Sequence, residues 1–180
     1  MKQKLRNISL KISVWIYVIP VIFFFILITF ILIPRLQLLI GEMQLLDVMF
    51  KGYDATYVHQ LFDKLQSGGR GAYLSLELYA DIPFIFLYVI TFTMSIAKLL
   101  VRNGLWDGLL YYSLFFPVLA GLSDLAENIG IINMLQSKND IPGYIIKLTS
   151  YSTILKGYLL PLTLLTLISL LGVMWYKKLR

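Results

Sequence analysis

The sequence predicts an all-α integral membrane protein, a four-helix bundle with an amphipathic helix in its outer loop, and three observations carry that reading. Of its 180 residues 58% are apolar and only 14% charged, with a mean hydropathy of +0.76, whereas a soluble domain carries about a quarter charged residues. Four apolar runs of spanning length fill well over half of the chain. Lys and Arg gather at alternate ends of these runs. Together they exclude a soluble globular enzyme and leave no room for a second folded domain, so residues 1–180 read as a single transmembrane domain. Zero cysteines exclude disulfides, thiolate metal sites and cysteine nucleophiles.

The first span is residues 12–33, an uncharged run of 22 preceded by Lys2, Lys4, Arg6 and Lys11. It is too long for the ~7–15-residue core of a secretory signal and ends at Ile33-Pro34-Arg35 instead of small residues, so it reads as an uncleaved helix bent at Pro20. Residues 34–71 form the outer loop. Within it, Asp54 is placed as an N-cap, and Tyr57, Val58, Leu61, Phe62 and Leu65 recur at helical spacing before Ser67-Gly68-Gly69, which predicts a short amphipathic helix over residues 54–66. The apolar stretch from Leu36 to Phe50 fits either a second interfacial helix or a continuation of the first span. The remaining spans fall at residues 72–98, 109–135 and 151–176, and Asn139-Asp140-Ile141-Pro142 reads as a helix start.

Orientation follows from counting. The N-terminus, the short loop with Lys98 and Arg102, and the C-terminus with Lys177, Lys178 and Arg180 hold nine basic groups against Asp107 alone, which predicts that both termini are cytoplasmic. The other loops mix Arg35, Lys51, Lys64, Arg70, Lys138 and Lys147 with Glu42, Asp47, Asp54, Asp63 and Asp140. The net charge of +6 therefore reads as topology and calls for no nucleic acid. The bilayer itself is the partner the composition demands.

Ionisable residues inside a span cost roughly 2.5–3.5 kcal/mol each at the bilayer centre, so they are functional candidates by default. The second span carries Tyr73, Glu77 and Asp81 at i, i+4, i+8, with Tyr88 further along the same face; the third carries Asp124, Glu127 and Asn128 above Pro117 and Gly121. Measured from Lys98 and Asp107, Asp81 and Asp124 both lie 17 residues along, about 25 Å of helix, which predicts one layer. Glu77, Asn128 and Lys156, each 21 residues from its anchor, predict a second layer one turn further out, with Glu127 close by and Arg70 and Tyr73 above. Charges at helix ends also snorkel to headgroups, and a purely structural polar network competes with any functional reading. Four carboxylates on two helix faces nevertheless exceed what anchoring needs.

This pattern resembles an uncharacterised family of small four-span bacterial membrane proteins. The residues that carry the likeness are Gly52-Tyr53, Gly69-Arg70 with Tyr73, then Asp81, Pro83 and Tyr88, then Pro117, Leu119-Ala120, Asp124, Glu127 and Asn128, and finally Thr153 with Lys156. They span residues 47–92 and 117–157. The resemblance implies a bundle in the bacterial plasma (inner) membrane with an outward polar site, and brings no established reaction. Lipoprotein signal peptidase is similar in size, span number and two outward aspartates, but its Asn-x-x-Asp-Arg and Phe-Asn-x-Ala-Asp surroundings are missing here.

Three functions compete. A binding or accessory module would hold an amphiphile, a lipid headgroup or a small cationic molecule among Glu77, Asp81, Asp124, Glu127, Asn128, Lys156, Arg70, Tyr73 and Tyr88. An intramembrane hydrolase would use Asp81 and Asp124 as an acid–base dyad. A proton-coupled transporter would need a homo-oligomer to make room for alternating access. None calls for a cofactor or a metal, and with His59 as the sole histidine the sequence lacks zinc-protease and Gly-x-Ser-x-Gly motifs. The binding reading leads, because no reactive-group motif is present.

Overall fold

The computed structural model describes residues 2–137 and 141–179 and is helical throughout, with no strand among the described residues. Helix α1 (Lys2–Lys11) is a short basic segment. Four further helices are long and apolar enough to cross a membrane: α2 (Trp15–Ile40), α3 (Ala55–Arg102), α4 (Leu109–Gln136) and α5 (Gly143–Leu179). Each reaches beyond the apolar run that predicted it. Hydropathy marks the middle of a spanning helix, whereas the ends continue as amphipathic turns whose polar side faces out. The stretch after Pro34 thus extends α2 as far as Ile40, which resolves the alternative left open for residues 36–50. Helix α2 also runs on through Pro20, and the break near this end falls at residues 12–14, between α1 and α2. Lys138, Asn139, Asp140 and Arg180 lie outside the described residues; Pro142 immediately precedes α5.

The predicted loop helix forms the first part of α3. Asp54 caps it, accepting a hydrogen bond from the Tyr57 backbone N–H at 2.8 Å, and Val58, Leu61, Phe62 and Leu65 are buried. His59 is exposed. The expected stop at Ser67-Gly68-Gly69 falls instead at Gln66, the one described non-glycine residue with positive φ (52°), and helix resumes directly. Gly69 serves packing rather than termination, since a Cβ there would crowd Leu65 and Leu39.

Two apolar cores bracket a polar middle. At the end distal to the termini, Leu36, Ile40, Leu45, Leu46, Phe62, Tyr73 and Met134 form one core. At the terminal end, Ile96, Leu100, Trp106, Leu114 and Leu170 form the other. There Lys177 Nζ donates to Asn103 O at 2.6 Å and Asn103 Nδ2 to Leu170 O at 2.9 Å, which ties the α3–α4 loop to the end of α5. Lys2 Nζ donates to Asp107 Oδ1 at 2.9 Å, and this hydrogen bond and charge hold the exposed Asp107 carboxyl below its usual range. Both termini and the α3–α4 loop therefore share one end.

Helix α5 packs most extensively on α4, α3 packs on both, and α2 leans on α3. Small residues set the closest approaches. A Cβ at Gly130 of α4 would land on Thr149 of α5, and one at Gly121 would land on Val89 of α3. Loop residues 41–54 fold back over the distal mouth. Tyr53 N donates to Ser150 Oγ at 2.9 Å, Phe50 packs against Gly157 of α5, and Gly52 (φ 86°) makes the turn that brings them there.

Gly130→Ala should accordingly destabilise the α4–α5 contact by about 1–3 kcal/mol, the usual cost of overpacking. Gly172→Ala, where nothing lies within 4 Å, should leave stability unchanged. Thermal unfolding of both variants in mild detergent checks the pair, and equal melting would refute the packing role.

Candidate functional site

Between the two apolar cores the structure gathers most of the sequence-predicted polar residues into one cluster. Lys156, on α5, is 5% exposed and makes two ion pairs with α4: Nζ lies 3.0 Å from Asp124 Oδ1 and pairs with Glu127 Oε2. Asp124 Oδ2 accepts from Tyr88 OH of α3 at 2.9 Å. Glu127 Oε1 accepts from Thr153 Oγ1 at 2.7 Å, one turn before Lys156. Asn128 Nδ2 donates to Asp81 Oδ2 of α3 at 2.7 Å. Three helices are thus cross-linked by charge-assisted hydrogen bonds, which are shorter and stronger than neutral ones.

The expected stacking of layers is corrected. Asp81 pairs with Asn128, not with the height of Asp124. The reason is the anchor: α3 continues one turn past Lys98 to Arg102, and from Arg102 Asp81 lies 21 residues along, the same count as Asn128 from Asp107. Lys156 belongs to this layer, and its long side chain reaches Asp124 below.

Two further expectations also change. Arg70 stands apart from the network, because Nε donates to Phe62 O at 3.1 Å and its guanidinium lies 4.9 Å from the Phe62 ring. Arg70 thus ties together the two sides of the kink at Gln66. Tyr73 turns to Asp47, donating at 2.5 Å while accepting from Leu46 N at 3.1 Å. Glu77 is fully buried, and neither carboxyl oxygen has a hydrogen-bond partner. A π-helical turn, Glu77–Asp81, lies between the two carboxylates just before Pro83. Its i→i+5 bonding shifts the register of the polar stripe that follows it.

Asp47 is the member that sequence reading left among the loop charges. It is 8% exposed; the available signal was an acid embedded in Leu45, Leu46, Val48, Met49 and Phe50. Tyr53 also joins, 3.5 Å from Thr153 Oγ1. Burial, with the Glu127 and Asp47 carboxylates adding to it, raises its phenol above the usual range, so it remains neutral.

The network opens onto a cavity of about 450 Å³ between α2, α3 and α5. Asp47, Asp81, Asp124, Lys156 and Tyr88 form its polar side. Phe25 and Ile28 of α2, Phe84 of α3, and Leu160 and Leu164 of α5 form its apolar walls. Phe25, Phe50 and Leu164 are exposed, so the cavity opens sideways, along the helix faces. A second cavity of about 440 Å³ continues it toward the terminal end, sharing Val21, Ile22 and Phe92 and finishing at Lys98 and Arg102. Such an arrangement can hold a polar group against the carboxylates with an apolar chain alongside.

No protein-family model matches this chain, and no curated protein or solved structure shows significant similarity to it.

Lys156→Met should destabilise the protein by about 3–5 kcal/mol, because it leaves Asp124 and Glu127 buried without a counter-charge. Adding Asp124→Asn and Glu127→Gln should recover most of that loss. Melting temperatures of the single and triple variants decide it, and a triple variant no more stable than the single would refute the charge-pairing account.

Proposed function

We propose that this is a multi-pass protein of the bacterial plasma membrane, both termini cytoplasmic, whose lateral cavity binds an amphiphile. The polar head sits against Asp81, Asp124, Lys156 and Tyr88, and the tail runs along α2. The observation that carries the reading is the half-open cavity of about 450 Å³ with polar groups on one side and exposed apolar helix faces at its mouth. Its size falls in the range of small-molecule sites, and its opening faces where acyl chains would lie. The proposed orientation is supported by the basic residues of α1, Lys98, Arg102, Lys177 and Lys178, which share the end that holds both termini.

Asp81 is the group on which binding turns. It is half-buried where Asp124 and Lys156 are buried, and it holds only Asn128 among the cluster, so it faces the cavity with its second oxygen uncommitted to the ion pairs. A second reading, hydrolysis of an ester-linked amphiphile, is favoured by one observation, that Asp81 and Asp124 line the same cavity. Under it, purified protein would turn over such an ester and Asp81→Asn would abolish turnover.

Native mass spectrometry of protein purified in mild detergent is the test of the binding reading. Wild type should carry a defined amphiphile adduct, and Asp81→Asn/Asp124→Asn should lose at least tenfold of its occupancy. Absence of an adduct on both, with the double variant melting well below wild type, would overturn the reading in favour of a structural network.

A further inference from the structure

We infer that the cavity selects a cationic amphiphile, an alkyl chain headed by a primary ammonium group; this rests on reading the cavity as an amphiphile site. The charges facing it do not cancel. Asp47, Asp81 and Asp124 line it against Lys156 alone, and Lys156 is already shared with Glu127 behind the wall. Negative charge in excess at a dry site is costly, and an incoming positive group relieves it.

The demand for a donor does not come from the acids alone. Asn128 is fully buried and gives Nδ2 to Asp81, while its Oδ1 has no donor. An amide oxygen accepts hydrogen bonds at any pH, so this is a matter of geometry and not of titration. A primary ammonium group brings three N–H donors to Asp81, the cavity-lining partner of Asn128.

The walls point the same way. Phe25, Phe50, Phe84, Tyr88 and Phe92 line the cavity, and aromatic faces beside carboxylates are the surroundings in which alkylammonium groups bind. An anionic head would fare badly. Arg70, the cation that could have received a phosphate, is held at Phe62, and Lys156 is the one basic residue among those lining the cavity. Among the described residues no three ligating side chains converge on a metal-sized space. A free long-chain amine and an amine-headed lipid share the required chemistry.

The test is isothermal titration of the protein in a neutral maltoside detergent with dodecylammonium, dodecyl phosphate and methylammonium. Wild type should bind the dodecyl cation saturably and at least tenfold more tightly than dodecyl phosphate. Asp81→Asn, which keeps an oxygen for Asn128 and should melt with wild type, should weaken the cation at least tenfold. Equal or tighter binding of dodecyl phosphate would overturn the charge selection and leave the amphiphile site standing. Cation binding untouched by Asp81→Asn would overturn the placement in this cavity. Failure of both dodecyl probes would overturn the amphiphile reading itself. Methylammonium competing as well as the dodecyl cation would assign a free small cation and overturn the role of the alkyl chain.

Discussion

A lysine ammonium in the middle of a helical bundle fixes what the surrounding helices can do. Removing Lys156 from water costs several kcal/mol, and the cost is offset only if counter-charges arrive at hydrogen-bonding distance. Asp124 and Glu127 do so from one face of α4, which requires α4 and α5 to lie close together. Gly130 opposite Thr149 permits that approach. Thr153, a turn away, orients Glu127, and Tyr88 brings α3 to Asp124. In a bilayer, where apolar surface gives helices no preference for one another over lipid, such polar contacts and small residues decide register. The two apolar cores then close the ends around the network.

The network is lopsided, and the lopsidedness creates the cavity. Helices α3, α4 and α5 share the polar contacts, whereas α2 contributes no charged side chain to them. It meets the bundle chiefly through α3, where Thr91 Oγ1 reaches Tyr17 O at 3.0 Å. Among the described residues no ion pair draws α2 onto α5. The space between these two helices therefore stays open beside Asp81 and Asp124, and loop residues 47–50 roof it instead of filling it. A bundle knit equally on all sides would bury its carboxylates entirely. Here the uneven distribution of polar residues along the chain produces both a stable three-helix frame and an accessible edge.

Much of this was legible in the sequence, for definable reasons. Spanning helices announce themselves by hydropathy, and a polar face inside a span stands out because burial there is costly; Asp124, Glu127, Asn128, Lys156 and Tyr88 were found this way and do converge. What escaped is what tertiary context decides. Asp47 lies in an irregular loop, where no periodicity says which way a side chain points, and only the fold-back over the bundle buries it. Arg70 is held at the Phe62 carbonyl across the kink at Gln66, a bend that no residue pattern announces. The layer heights failed on a single turn of helix, since composition cannot tell whether α3 ends at Lys98 or at Arg102. The π-helical turn at Glu77–Asp81 likewise shifts the face of the residues after it, which a count along an ideal α-helix does not foresee.

The two cavities along α2 show why location and charge belong to one argument. They meet at Val21, Ile22 and Phe92, so an apolar furrow runs from the carboxylates toward Lys98 and Arg102. Its ends have opposite sign. A molecule with a positive head and an apolar tail would meet attraction at the distal end and no penalty along the furrow, and its tail would stop short of the basic residues. A molecule with a negative head would find the reverse, being drawn to Lys98 and Arg102 and repelled from Asp47, Asp81 and Asp124. The furrow thus sorts amphiphiles by the sign of the head and by the end they occupy. That sorting follows from two features the chain need not have combined: an excess of acids at one depth and a peripheral helix too apolar to seal them.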